Sequence, residues 1–115
     1  MVGNSQVAQS PAGAKGLLFL PYLLGERSPH WNPEAKGTFI GITVEHSKGD
    51  MLRAVLEGVS LNLSVVLDLY KSRNPVDKVT IYPNTKNAMK YQKMKPIFDE
   101  AYHSLVNVYR QLAQV

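Results

Sequence analysis

The 115-residue sequence predicts an α+β (or α/β) fold built from two or three strands and two long helices. Three observations carry that prediction. Two short runs, residues 17–24 and 38–44, have the apolar, β-branched and aromatic character of strands. Two later stretches repeat apolar residues at steps of three and four, the spacing that lines up one face of an α-helix. Strands followed by long helices in so short a chain make a thin sheet with helices against it.

Residues 1–15, rich in Ser, Gly, Gln and Ala, are expected as a flexible lead. Residues 16–73 then form a strand–loop–strand–helix block. In LLFLPYLL, residues 17–24, Pro21 belongs near the strand end, where a missing N–H does least harm. Residues 25–37 form a polar loop, GERSPHWNPEAKG. In TFIGITV, residues 38–44, Gly41 signals a close backbone approach or a bulge.

The first helix should start at Ser47, with Asp50 three residues on completing a capping-box pattern in which Asp stands for the usual Glu or Gln. Its apolar set is Leu52, Leu56, Val59, Leu63, Val66 and Tyr70, widened by Met51, Ala54, Val55, Leu61, Val65 and Leu69. So wide a stripe predicts burial over much of the circumference. Gly58, which costs about 1 kcal/mol against alanine in a helix interior, suggests close packing at that point.

Residues 74–83 read as a turn and an extended linker. Residues 84–115 read as the second helix, with Tyr91, Met94, Phe98, Ala101, Leu105, Val108 and Leu112 on its apolar face and Tyr102 and Tyr109 beside them. Pro96 predicts a kink or split, because it removes one i to i−4 hydrogen bond. A sheet this small leaves its edges open to another copy or another domain.

Composition narrows the function classes. The chain has no cysteine, hence no disulfide, thiolate metal site or thiol catalysis, which fits the cytoplasm. No apolar run approaches the ~18 residues of a membrane span, so no membrane partner is expected. The net charge of +4 is not gathered into a stripe. Lys86, Lys90, Lys93 and Lys95 read as a solvated helical face, and no nucleic-acid partner is expected.

The loop holds the candidate binding residues. Arg27 fits either a clamp for a phosphate or carboxylate or an arginine pinning loop carbonyls. Trp31 fits either a stacking platform or a plug sealing the loop onto the core, and Glu26 points away from Arg27. His30 and His46 have no carboxylate or histidine at metal-ligand spacing beside them, so no metal site is expected. Arg53 with Glu57 and Asp68 with Lys71 are at helical pairing distance and read as structural. The consecutive Asp99 and Glu100 face different directions, and His103 lies on the polar side of its helix. No Walker-type loop, GxGxxG or Ser–His–Asp context is present.

One pattern is more specific. Gly37, Phe39, Gly41 and Ile42, then after a short spacer Asp50, Met51, Ala54, Val55, Leu56 and Glu57, resemble the second signature of the FGGY carbohydrate kinases at every position. The segment from GLLFLPYLLGERSPHWNP through this signature resembles the C-terminal domain of the gluconokinase and xylulokinase branches, and residues 91–114 resemble its C-terminal helix. The resemblance implies part of a ribonuclease-H-like, actin-like kinase domain with an internal segment missing. It also implies a parent activity of ATP-dependent phosphorylation of gluconate or xylulose, with ATP and Mg as the intact family's requirements. The family's first domain, catalytic base, phosphate-binding loop and glycine-rich nucleotide contact have no counterpart in this sequence. The chain alone is therefore expected to be inactive, with no catalytic, cofactor-binding or metal residues. The signature residues are expected to be structural, and Glu26, Arg27 and Trp31 to fix the loop. The partner expected is another copy or a complementary kinase domain.

Overall fold

The computed structural model describes residues 7–28, 30–73 and 85–115. Its elements are a 3₁₀ turn Ala14–Gly16, β1 (Leu18–Leu20), β2 (Thr38–Ile40), α1 (Lys48–Arg73) and α2 (Thr85–Ala113). The result is a mixed α/β fold with two strands and two long helices, as expected. The turn and linker expected at residues 74–83 lie outside the described residues.

β1 and β2 pair antiparallel, Leu18 with Ile40, Phe19 with Phe39 and Leu20 with Thr38. Both strands are shorter than their apolar runs predict. β1 stops at Pro21, which has no N–H to give the ladder. β2 stops at Gly41, whose φ of +95° leaves the extended region. A Cβ there would stand 2.9 Å from the Gly16 carbonyl oxygen, so the expected close backbone approach is present.

β1 is buried on both faces. Successive side chains point opposite ways, so Leu18 and Leu20 enter one cluster with Tyr22, Ala35, Leu61, Phe98, Tyr102 and Tyr109. Phe19 enters a second cluster with Ala14, Leu17 and Ala54, and Phe39, Met51 and Val55 pack against it. α1 lies directly on β1 at Gly58, where an added Cβ would meet the Phe19 carbonyl oxygen at 2.2 Å. The close packing expected at Gly58 is therefore backbone on backbone.

Three expectations need correction. Residues 7–15 are not a flexible lead, since Ser10, Ala12 and Ala14 are buried and the segment is hydrogen-bonded to α1. α1 is not buried over most of its circumference. Ala54, Glu57, Gly58 and Leu61 face inward, whereas Leu56, Val59, Leu63 and Leu67 are exposed. With a stripe so wide, spacing alone does not fix which half meets a two-stranded sheet. On α2, Phe98, Tyr102 and Tyr109 are buried while Val108 and Leu112 are exposed, and the helix runs through Pro96 without a break. Among the described residues no helix is long and apolar enough to cross a membrane.

Candidate functional site

Among the described residues, polar side chains gather in two places. The first is the N-terminal half of α1. Asp50 and Glu57 are seven residues apart, two turns on one face, and both are buried. Asp50 completes the capping box, because the Ser47 amide donates to its Oδ2 at 2.8 Å and the Ser47 hydroxyl accepts from the Asp50 amide at 3.2 Å. Its Oδ1 accepts from the Ser10 hydroxyl at 2.5 Å, and Lys15 Nζ stands 3.2 Å from Oδ2. The Ser10 hydroxyl, then the Ser47 amide, with help from Lys15, hold the Asp50 carboxyl well below the usual carboxylate range.

Glu57 is more heavily engaged. Its Oε2 accepts from the Gly13 amide at 2.9 Å, the Tyr91 hydroxyl at 2.6 Å and Arg53 Nε at 3.2 Å. Arg53 also donates to the Ser10 carbonyl at 2.9 Å and to the Tyr91 oxygen at 3.2 Å. Burial, then the bond to Glu57, pushes the Tyr91 phenol up. The Arg53–Glu57 pair is thus present as expected. Its links to residues 10–13 and to α2 join positions 34 to 44 residues apart, beyond the reach of local spacing. A cleft of about 280 Å³ opens at Asp50, lined also by Gln9, Ser10, Lys15, Ser47 and Lys48.

The second gathering joins the polar loop to α2. Glu26 and Asn32 exchange backbone hydrogen bonds of 2.7 and 2.5 Å, closing the loop between them. The buried Glu26 carboxylate accepts from the His30 amide at 2.6 Å. That bond places the His30 imidazole flat on Tyr102, with centroids 4.2 Å apart and planes 9° apart. Asp99 and His103, one turn apart on α2, lie alongside. His30 Nε2 is 3.7 Å and His103 Nε2 3.5 Å from Asp99 Oδ1.

Of the loop residues, Glu26 bonds within the loop through its backbone and its carboxylate. Arg27 does not: it is exposed, and among the described residues it makes no hydrogen bond to a loop carbonyl. Trp31 is not a plug. It is 74% exposed, and its φ of +56° turns it away from the core. Among the signature positions, Asp50, Ala54 and Glu57 are buried, Met51 and Phe39 pack against the Phe19 cluster, and Gly37 sits under the Leu23 side chain. Ile42 is exposed. Asp68 pairs with Lys95 of α2 rather than with Lys71.

His30, Asp99 and His103 were not connected by reading the sequence. The available signal was the Asp99–His103 spacing of four on a helix, which puts both on one face. The approach of His30 across 69 positions had none.

Comparison with known proteins gives the chain its family. Residues 2–82 match the C-terminal domain of the FGGY family of carbohydrate kinases. The chain belongs to the FGGY family. The gluconokinase of Bacillus subtilis strain 168 is 57% identical over 54 residues, 47% of this chain and 10% of that protein. The xylulose kinase of Staphylococcus xylosus is 37% identical over 95 residues, 81% of this chain and 20% of that protein. The chain therefore spans between a tenth and a fifth of the length of these FGGY relatives. Among solved structures, the ligand-bound xylulose kinase of Lactobacillus acidophilus superposes with a TM-score of 0.76 at 25% identity. That match covers 95% of this chain and 35% of that one. The gluconate kinase of the same organism gives the same values.

Proposed function

We propose that this chain is a framework piece of an ATP-dependent sugar kinase, from the ribonuclease-H-like C-terminal domain of an enzyme that phosphorylates gluconate or xylulose. One observation carries the reading: the FGGY signature is met at every position from Gly37 to Glu57, and its two acids, Asp50 and Glu57, are buried and bonded within the fold. A carboxylate oxygen that already accepts three protein hydrogen bonds, as Glu57 Oε2 does, is a poor proton acceptor for a sugar hydroxyl, and Glu57 Oε1 is buried. In the intact enzyme this piece would hold β1, β2 and α1 in register at one wall of the catalytic cleft.

Alone, the chain does not phosphorylate sugar. Phosphoryl transfer is achieved by positioning a metal-bound triphosphate against an oriented hydroxyl with a base at hand, and no residue here is assigned to ATP or Mg. A coupled ATP assay with gluconate and with xylulose is expected to read zero, and sustained turnover by the purified chain would overturn this reading. The positive arm is a chimera. Residues 16–73, placed into a gluconokinase at the matching segment, should keep turnover within about tenfold, or ~1.4 kcal/mol of barrier. A folded but inactive chimera would refute the framework role.

A second reading, a self-associating or protein-interaction module, is favoured by the exposed stripe of Leu56, Val59, Leu63 and Leu67 on α1. Light scattering on Leu63→Glu and wild type tests it: the wild type associates and the variant does not. A wild type that stays monomeric at high concentration removes this reading.

A further inference from the structure

We propose that His30, Asp99 and His103 form a three-ligand site for a divalent first-row transition-metal ion of the Zn²⁺ class. One ligand atom from each residue lies within 4.8 Å of the other two. The two closer separations, 3.5 and 3.7 Å, are near the ~3.4 Å edge of a tetrahedron of ligands about 2.1 Å from a metal. Small side-chain rotations therefore bring all three into coordination.

The donor set selects the metal. Two imidazoles and one carboxylate suit zinc, cobalt, nickel or copper, whereas magnesium and calcium prefer all-oxygen sites. Three protein ligands leave at least one position for water or a ligand oxygen.

The site is also pre-arranged. Asp99 and His103 are fixed relative to one another by a single turn of α2. His30 is held from two sides, its amide by the buried Glu26 carboxylate and its ring by the face of Tyr102. Tyr102 is itself buried and packs edge-on against Tyr22. A loop side chain fixed in this way loses little freedom on binding, which is how outer residues raise the affinity of a metal site. The alternative is a simple ion-pair cluster in which Asp99 bridges two histidines and binds nothing.

Zinc titration of the full chain by calorimetry, in a non-chelating buffer, separates the two. The expected result is one equivalent per chain, with the same stoichiometry for Co²⁺ read from its visible absorption. His30→Gln, Asp99→Asn and His103→Gln should each weaken binding by tenfold or more, while His46→Gln leaves it unchanged. His103 is exposed, so His103→Gln should keep the wild-type circular dichroism. Should any variant fail to fold, imidazole NMR signals of the wild type decide, since zinc must shift those of His30 and His103 and spare His46. No binding up to ~1 mM zinc, binding insensitive to Asp99 and His103, or loss with His46→Gln would overturn the site.

Discussion

The two polar regions are each organised by a buried glutamate, yet they are built differently. Glu57 sits on α1 and gathers three donors on one oxygen, from residue 13, its own helix and α2. Glu26 sits in the loop and holds one backbone amide, leaving the imidazole beyond it half-exposed next to Asp99 and His103. The Glu57 region is closed, tied together through Glu57 Oε2, where its groups meet, while Oε1 is buried without a partner among the described residues. The Glu26 region ends in ligand-type atoms that face one another with room to adjust. Asp50, Ala54 and Glu57 of the family signature lie in the closed region and are buried there. The chemistry still open to a ligand lies outside it.

The largest loss is expected in the closed region. Glu57→Ala removes an acceptor from a buried amide, a phenol and a half-buried guanidinium, and breaking a buried pair costs roughly 3–5 kcal/mol. Urea unfolding should show that loss, with the midpoint of Tyr91→Phe falling by much less. Next is Gly58→Ala. Helix propensity favours alanine by about 1 kcal/mol, yet the new methyl meets the Phe19 carbonyl oxygen, a backbone atom that yields only if β1 shifts. Overpacking of that kind costs roughly 1–3 kcal/mol, so after the helix gain a net destabilisation of up to about 2 kcal/mol is expected in the same experiment. A stabilised Gly58→Ala would mean that α1 does not rest on β1.

How much of this was legible follows the same division. The capping box, the Arg53–Glu57 pair, the close backbone approach at Gly41 and the close packing at Gly58 are readable because each is a relation within a few residues or a property of one residue. The packing of residues 10–15 was missed because small polar residues look alike whether solvated or hydrogen-bonded to a buried acid. The outward half of α1 was missed because Leu56, Val59 and Leu63 match the helical period as well as Ala54 and Leu61 do. The contact of His30 with α2 depends on the folded path of the loop, which local spacing does not encode.

Asp50 gives a pH signature specific to the closed region. Its carboxyl is depressed in the folded chain, chiefly by the Ser10 hydroxyl, against about 3.9 when unfolded. A depressed folded value means that the unfolded chain binds the proton more readily. The stabilisation is therefore complete above the unfolded value and is lost as pH falls through the folded one. Wild-type stability should decline from about pH 4 downward, and Asp50→Asn should flatten that decline while lowering stability at neutral pH. Equal acid limbs for both proteins would show that Ser10 and Lys15 do not hold the carboxylate.

The smallest effect belongs to the open region and tests its most conspicuous residue. Trp31 lies between two residues that fix the loop, His30 and Asn32, and an exposed tryptophan with positive φ invites a functional reading. Its geometry argues otherwise. Exposure means that truncation removes little buried area, so Trp31→Ala should stay within ±0.5 kcal/mol. Trp31→Gly adds two opposed terms. Relief of the left-handed strain is worth roughly 1–2 kcal/mol, and the freer unfolded chain costs about 0.5–1 kcal/mol. Glycine should therefore be slightly more stable than alanine at this position, by up to about 1.5 kcal/mol. The same two variants should leave zinc affinity unchanged, because the His30 amide remains tied to Glu26. If Trp31→Ala instead lost more than 1.5 kcal/mol or weakened zinc binding, the tryptophan would be a plug after all, and the loop would be held by its core side rather than by Glu26.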